Sequence, residues 1–273
     1  MSGFWTPAPT LIAGPCVVES DAVNMAVAAQ LAELQAKLGL RVVYKASFDK
    51  ANRSRAGAPR GPGIDEGLAA LRRVRDETGL PVLTDVHEVW QVEPAAAAVD
   101  ALQVPAFLCR QTDLLDAVGR ARRPVNIKKG QWMAPEEMKG AAEKVRTAGG
   151  GDVAVTERGT AFGYGDLVVD MRGFERLRSA TGATVLFDAT HAAQQPGGGA
   201  NGASGGVREH VPALLMAAAA AGADGFFLET HPDPAAAPSD SATMWPLARL
   251  EELVERALAV WHAAREGRTV QRA

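Results

Sequence analysis

Hydrophobic and polar positions alternate along the chain in blocks, and the blocks repeat. Short apolar runs rich in β-branched residues are each followed by a polar cluster and then by apolar residues at helical spacing, which predicts strands alternating with helices. Eight such apolar runs are present, over residues 11–18, 41–47, 81–86, 101–107, 125–128, 153–156, 184–187 and 225–228. Eight strand–helix units in a chain of this length are typical of a (β/α)8 TIM barrel, so we predict the α/β class and a single barrel domain over 1–273.

The helical segments carry start and stop signals of their own. The first helix is predicted between a Ser20 or Asp21 cap and Gly39. The second is predicted from Ile64, with Asp65 and Glu66 in its first turn and Gly79 after its end. Further helices are predicted over about 89–99, 112–122, 135–148, 171–181, 208–221 and 244–265. A doubly wound sheet is the alternative, but no Gly-rich dinucleotide fingerprint follows the first apolar run. The Gly-rich segment 196–206 is predicted to be a mobile loop over one face of the barrel.

Composition narrows the class of protein. The chain has 273 residues, of which 47% are apolar and 22% charged, which is typical of a soluble globular protein. A net charge of −3 argues against general binding to nucleic acid or to an anionic membrane. The two cysteines, Cys16 and Cys109, are too few for a disulfide framework and fit a reducing compartment. No secretory signal and no bilayer-length apolar run is recognisable, so we expect a cytoplasmic protein.

Polar side chains follow almost every predicted strand, at the end where a barrel carries its chemistry. Six cationic residues belong to this set: Lys45, Lys50, Arg53, Arg110, Lys128 and Arg158. Like charges crowded at one mouth repel each other, so the set as a whole predicts a ligand with several negative charges. The alternatives are a solvated basic loop, or pairing of single cations with Asp85, Asp188, Glu157 or Glu19.

Cys16, His191, Glu229 and Asp240 form a second group at the predicted strand ends. Cysteine, histidine and carboxylate side chains are usual ligands of divalent transition metals. These four residues are scattered, no C-x-x-C spacing supports the site, and a single cysteine could equally be a small buried apolar residue. His87 and His231 could be ligand-facing or core-facing histidines.

Several motifs together point to a known family. They are Lys45-Ala-Ser-Phe-Asp-Lys-Ala-Asn-Arg-Ser54, Arg60-Gly-Pro-Gly63, Thr84-Asp-Val-His-Glu88, Gln103-Val-Pro-Ala-Phe-Leu108, Arg110-Gln-Thr-Asp113, Asn126-Ile-Lys-Lys129, Phe162-Gly-Tyr164, Leu167-Val-Val-Asp-Met171, Phe187-Asp-Ala-Thr-His191 and His231-Pro-Asp-Pro234. Over about 11–247 they resemble the 3-deoxy-D-manno-octulosonate 8-phosphate synthase family. Sister enzymes that make 3-deoxy-D-arabino-heptulosonate 7-phosphate carry a K-P-R-T-type sequence at the first motif, so Asn52 favours the octulosonate branch.

The resemblance implies a reaction and a cofactor. Members of the family condense phosphoenolpyruvate with arabinose 5-phosphate, release inorganic phosphate and supply lipopolysaccharide synthesis. A cysteine at position 16 and the sequence Ser239-Asp-Ser241 resemble the metal-dependent class. We therefore expect Cys16, His191, Glu229 and Asp240 to hold a divalent ion, Zn²⁺ or Fe²⁺ in the first place, with Mn²⁺ or Co²⁺ as further options. The family also implies a homotetramer.

Roles for single residues are likewise expectations from the resemblance. Lys50, Asp85, His191 and Asp240 are the expected catalytic residues. The expected substrate-binding residues are Lys45, Ser47, Asn52, Arg53, Arg60, Arg110, Gln111, Lys128, Arg158 and Ser204. Gly206-Val-Arg208 departs from relatives with two consecutive arginines and leaves the role of Arg208 open. The alternative functions are the heptulosonate synthase, which uses erythrose 4-phosphate, and a non-catalytic barrel that senses a sugar phosphate.

Overall fold

The computed structural model describes residues 3–5, 9–53, 56–161, 163–199 and 204–271, with side chains up to 266. Ser54 and Phe162 of the family motifs lie outside the described residues, as do positions 200–203 of the Gly-rich segment. Eleven strands are present in the part of the chain described: β1 Thr10–Gly14, β2 Arg41–Lys45, β3 Val82–Asp85, β4 Ala101–Val104, β5 Val125–Lys128, β6 Val153–Glu157, β7 Thr184–Asp188, β8 Gln194–Gln195, β9 Gly205–Gly206, β10 Gly225–His231 and β11 Trp245–Pro246.

Eight of these strands form the closed parallel barrel that the sequence pattern predicts. Strands β1 to β7 pair in chain order, and β10 pairs with both β7 and β1, which closes the sheet. The register at the closure brings Glu229 on β10 beside Gly14 at the end of β1. The carboxyl ends of all eight strands therefore meet at one mouth.

Helices follow the strands and cover the barrel. They are α1 Asp21–Leu38, α2 Ile64–Thr78, α3 Val89–Ala98, α4 Thr112–Arg120, α5 Met138–Thr147, α6 Gly173–Thr181, α7 Ala189–Ala192, α8 Val211–Ala221 and α9 Leu250–Gln271. The Ser20 hydroxyl accepts a hydrogen bond from the Val23 amide, and Gly39 ends α1 with a φ of 62°, as predicted. The four-residue helix α7 was not predicted. Among the helices described, none is both long enough and apolar enough to cross a bilayer.

The core has two layers, as the alternation of strand side chains requires. Ile12, Val43, Leu83 and Phe227 point into the barrel, together with Trp5, and the larger layer lies between the strands and the helices. The Trp5 indole donates to the Asp152 carbonyl just before β6, so this side chain closes the amino-terminal end of the barrel. The end of the barrel at the carboxyl ends of the strands is the one available for a functional site.

The first strand is shorter than predicted because the chain turns after Gly14. A Cβ at Gly14 would lie 1.9 Å from the Lys45 carbonyl oxygen, so only glycine permits this approach of β1 to β2. Pro15 and Cys16 follow, and Cys16 adopts a φ of 66°. This turn puts the Cys16 side chain at the mouth of the barrel and not in line with the strand.

Candidate active site

Two adjoining cavities occupy the mouth of the barrel. The inner cavity, about 310 Å³, is lined by residues from strands β2 to β7 and their loops, including Lys45, Asp85, His87, Gln103, Lys128 and Asp188. The outer cavity, about 480 Å³, is lined by loop residues, including Arg53, Pro59, Gln194, Gly197, Ser204, Ser239 and Asp240. Six residues line both cavities, five of them polar: Lys50, Asn52, Phe107, Gln131, Arg158 and His191. A larger cavity of about 770 Å³ lies beside Trp132 and Tyr164, away from the predicted phosphate-binding residues.

The inner cavity holds paired charges. Lys128 forms a close ion pair with Asp188, and the Lys45 ammonium lies 3.5 Å from Glu229 and 3.8 Å from Asp85. Burial works against the charge of Asp188, but His191 and Lys128 outweigh it and hold the pKa of this carboxyl well below its ordinary value. The alternative that single cations pair with strand-end carboxylates therefore applies to these two lysines.

The surroundings of Lys128 weaken the charged form of its side chain. Burial lowers the pKa of its ammonium to about 8, although Asp188 acts in the opposite direction. The ammonium lies 3.1 Å from the centroid of the Phe227 ring, which stabilises the charged form in a desolvated place. The charged and neutral forms of the Lys128 side chain are therefore present in comparable amounts at mildly alkaline pH.

Three other cations line the cavities, Lys50, Arg53 and Arg158, and none of them forms an ion pair with a carboxylate among the residues described. The Arg158 guanidinium is buried, and its Nη1 has no hydrogen-bond partner within the described part of the chain. Burial opposes the charge of Lys50, but Cys16, Glu229 and Asp240 around it raise the pKa of the ammonium above its ordinary value. None of the three is held in an ion pair with a residue that the structure describes, so each can turn to an anionic ligand that enters the cavities.

Three of the four predicted metal ligands come together where the two cavities meet, and His191 lies beside this group without being part of it. Ligand atoms of Cys16, Glu229 and Asp240 all lie within 4.8 Å of one another, and the Cys16 sulfur is 3.2 Å from Asp240 Oδ2. His191 Nε2 lies 3.7 Å from Glu229 Oε1. Burial raises the pKa of the Cys16 thiol well above its ordinary value, with the Glu229 charge adding to the effect.

Asp188 sets the orientation of His191. The His191 Nδ1 lies 2.7 Å from Asp188 Oδ2, and an ionised carboxylate only accepts hydrogen bonds, so Nδ1 carries the proton. The Nε2 lone pair is then directed toward Glu229 and free to bind a cation, the arrangement usual for a metal-binding imidazole. The short helix α7 makes this contact possible because it begins at the Asp188 cap and ends one residue after His191.

Several observations fit a divalent ion held by this cluster. Glu229 Oε2 is buried and has no hydrogen-bond partner among the described residues. Cys16 and Asp240 adopt positive φ angles of 66° and 52°, and they are two of the three non-glycine residues that do so in the described ranges. Such backbone strain persists where the surroundings demand one side-chain position. The cluster combines soft and hard donors suited to a transition metal.

Four predicted substrate-binding residues do not line either cavity. Ser47 is buried behind the inner cavity, where its hydroxyl donates to Asp85 and accepts from Lys45. Arg60 is exposed and forms a bidentate ion pair with Asp49. Arg110 and Gln111 are exposed on the far side of the β4 loop, at the start of α4. The prediction grouped all four by motif, which does not show where each side chain points.

Sequence reasoning missed residues that position the others. Gln194 contacts both Arg158 and Asp240, and Gln103 lines the inner cavity while accepting from Asn126. His87 lines the inner cavity with its Nε2 3.0 Å from Asp85, whereas His231 is buried beside Glu19, at 3.3 Å. A carboxylate three residues before a histidine was a usable signal for Asp188, but nothing in the sequence distinguishes Gln194 from its neighbour Gln195.

Comparison with known proteins supplies independent information. The model of the DAHP synthetase I family matches residues 7–265. A protein of Syntrophotalea carbinolica named 2-dehydro-3-deoxyphosphooctonate aldolase is 53% identical over 92% of this chain and 90% of its own length. Proteins with the same name from Alkalilimnicola ehrlichii and Rhodopseudomonas palustris strain BisB5 are 54% and 55% identical, each over 90% of this chain and over 88% and 85% of their own lengths.

Proposed function

Because the chain belongs to the DAHP synthetase I family and resembles its octulosonate-forming members over nine-tenths of its length, we propose that it is a 3-deoxy-8-phosphooctulonate synthase. The enzyme condenses phosphoenolpyruvate with D-arabinose 5-phosphate and water and releases inorganic phosphate. Its product is 3-deoxy-D-manno-octulosonate 8-phosphate, which supplies lipopolysaccharide synthesis. The three relatives share the octulosonate name, so the heptulosonate reaction is not favoured.

One observation supports this reaction best: two cavities, each with its own cations, share a wall. The inner cavity has Lys45 and Lys128, the outer cavity has Arg53, and Lys50 and Arg158 face both. Two phosphorylated reactants repel each other in water, and cations on both sides remove that repulsion while they hold the reactants together. A site for a single phosphorylated ligand would not require the second cavity.

We assign phosphoenolpyruvate to the inner cavity, with Lys128, Arg158 and Lys50 at its phosphate and carboxylate and Lys45 nearby. Arabinose 5-phosphate occupies the outer cavity, with Asn52 beside the sugar and Arg53 and Ser204 at its phosphate. Arg53 suits this role because neutral oxygens of Pro59, Pro238 and Ser239 fix its guanidinium and leave its charge available. For Arg60, Arg110 and Gln111 we propose no contact with substrate in this chain's own cleft.

The chemistry joins C3 of phosphoenolpyruvate to the aldehyde carbon, adds water at C2 and breaks the C2–O bond to phosphate. Lys50 lies at the junction, and its raised pKa keeps the ammonium protonated beside the oxyanion that forms from the aldehyde. Asp85, fixed by Ser47 and His87, stays ionised close to the reacting carbons because Lys45 and His87 lower its pKa against the effect of burial. Arg158 holds the departing phosphate.

The metal cluster completes the proposal. Cys16, His191, Glu229 and Asp240 would hold one divalent ion, Zn²⁺ or Fe²⁺ in the first place and Mn²⁺ or Co²⁺ as alternatives. Such an ion supplies Lewis acidity toward an aldehyde oxygen or a water molecule. The protein fixes its ligands beforehand, through Asp188 on His191 and through Ser239 and Gln194 on Asp240.

Assembly and location are further parts of the proposal. Four aromatic side chains, Trp90, Phe107, Trp132 and Tyr164, are between 43% and 98% exposed. Large aromatic side chains are enriched where subunits meet, which supports assembly of the chain with copies of itself, and the family resemblance favours a homotetramer. Phosphorylated substrates do not cross bilayers unaided, so we expect the enzyme to work in the cytoplasm without membrane or nucleic-acid partners.

The test is phosphate release from phosphoenolpyruvate, measured with arabinose 5-phosphate and with erythrose 4-phosphate, before and after chelation. We expect release with the pentose phosphate alone, lost on chelation and restored by added metal. Release only with erythrose 4-phosphate would establish the heptulosonate reaction instead. Ligand-induced thermal shifts without phosphate release from either aldose would indicate the sugar-phosphate-sensing barrel. Release that survives chelation would remove the metal from the proposal.

A further inference from the structure

We propose that Gln194 is a positioning residue that ties the metal ligand Asp240 to the phosphate-binding Arg158; the role of Arg158 rests on the proposed function. The Gln194 side chain is buried, with 7% exposed. Its Nε2 donates to Asp240 Oδ1 over 2.6 Å, and its Oε1 accepts from Arg158 Nη2 over 2.9 Å. The orientation of the amide is unambiguous, because an ionised carboxylate only accepts and a guanidinium only donates.

The Gln194 amide that bridges Asp240 and Arg158 carries no charge, and this matters for both partners. A direct ion pair between Arg158 and Asp240 would draw the guanidinium away from the cavities and take a carboxylate oxygen away from the cluster. The amide holds both groups and neutralises neither. Asp240 Oδ2 stays with the Cys16 sulfur at 3.2 Å and the Ser239 hydroxyl at 2.9 Å. Arg158 Nη1 stays buried and unpaired among the described residues, while Arg158 lines both cavities.

The backbone fixes Gln194 independently of its side chain. Gln194 begins β8, which pairs antiparallel with β9 in the register Gln194 to Gly206. A Cβ at Gly206 would lie 2.2 Å from Thr243 Cγ2 and 2.9 Å from the Ala193 carbonyl oxygen, so only glycine allows this packing. Thr243 in turn donates its amide to the Asp240 carbonyl. Replacing the Gln194 side chain should therefore leave the local fold in place and remove only the bridge.

The experiment compares Gln194→Met, which keeps the length without polar atoms, with Gln194→Glu, which adds a charge. Affinity for Mn²⁺ is measured by competition with a chelator, without substrate, and affinity for phosphoenolpyruvate by calorimetry on metal-stripped protein. Gln194→Met should weaken the affinity for Mn²⁺ and the affinity for phosphoenolpyruvate roughly tenfold each. For the metal, this is the lower end of the loss that follows when a metal ligand loses an outer hydrogen bond. Gln194→Glu should weaken phosphoenolpyruvate binding further, because its carboxylate pairs with Arg158 and repels Asp240.

The neighbouring Gln195 provides the matched control. It lies on the same short strand, and its amide donates to Asp166 outside the cavities. Gln195→Met should keep wild-type affinities and the same Tm as Gln194→Met. If Gln194→Met is poorly folded, Gln194→Asn, too short to reach both partners, replaces it.

Unchanged affinities for Mn²⁺ and phosphoenolpyruvate in the Gln194 variants would overturn the inference, as would wild-type Mn²⁺ affinity in Gln194→Glu. Absence of phosphate release by the wild type would refute the proposed function. The Mn²⁺ measurement uses no substrate, so it decides the Asp240 side of the bridge in that case too.

Discussion

The inner and outer cavities differ in how their charged side chains are held. In the inner cavity, Lys128 and Asp188 stand on strand ends and form a buried ion pair, and Lys128 also lies over the Phe227 ring. In the outer cavity, Arg53 comes from a loop and is held by neutral oxygens of Pro59 at 2.7 Å, Ser239 at 2.9 Å and Pro238 at 3.1 Å.

This difference implies that the charged pair of the inner cavity contributes mainly to the stability of the protein, and that Arg53 of the outer cavity contributes mainly to substrate binding. A buried ion pair is tolerated only while both partners are present, so loss of one inner partner should destabilise the whole protein. An arginine fixed by neutral oxygens loses little of its charge, so its loss should cost binding and leave stability almost unchanged. Four predictions test this separation.

The largest effect is expected at the cluster where the cavities meet. Cys16→Ala should lower metal affinity at least about 100-fold and lower phosphate release accordingly, because it removes a direct ligand. The matched control is Cys109→Ala, since Cys109 is also buried but packs in the hydrophobic core, with the Met133 sulfur at 3.2 Å from its own. Full activity of Cys16→Ala after chelation would show that Cys16 only packs.

The second prediction compares a substitution in the inner cavity with a substitution in the outer cavity. Asp188→Asn should lower the free energy of unfolding by about 3 kcal/mol, since it leaves Lys128 buried without its anionic partner. Arg53→Met should leave the unfolding midpoint nearly unchanged but raise KM for arabinose 5-phosphate about 10- to 100-fold, the usual value of a hydrogen bond to a charged group. Urea unfolding and initial rates measure both. Equal destabilisation by the two variants would contradict the separation.

The same difference explains what could be predicted from sequence. Lys45, Lys128, Asp188 and Glu229 follow strands of a regular barrel, so their approach to one mouth follows from the strand count alone. Arg60 lies in a loop and Gln194 on a two-residue strand outside the barrel, where the direction of a side chain depends on tertiary contacts. Arg60 turns to Asp49 on the surface, while Gln194 turns inward because β8 pairs with β9. No periodic pattern in the sequence accompanies either contact, so neither could be predicted.

The third prediction concerns the inner cavity and pH. The pKa of Lys128 is lowered to about 8 in the free protein, mainly by burial. A bound phosphoenolpyruvate anion favours the charged ammonium and raises this pKa, so binding above pH 8 takes up a proton and affinity falls as pH rises. Calorimetry on metal-stripped protein in buffers of different ionisation enthalpy measures the uptake. Lys128→Arg, which stays protonated throughout, should remove the pH dependence between 7 and 9.

The smallest effect is expected at Arg60, on the rim of the outer cavity. Its guanidinium is exposed and paired with Asp49, while the neighbouring Pro59 lines the cavity. If the ion pair is its whole role, Arg60→Ala and Asp49→Asn should behave alike, each with KM for arabinose 5-phosphate within about twofold of wild type, as expected for an exposed pair. If Arg60 instead reaches the sugar phosphate, only Arg60→Ala should raise that KM, and Asp49→Asn should lower it by freeing the arginine. The opposite signs of the two variants would then place Arg60 with Arg53 among the residues that bind through uncompensated charge.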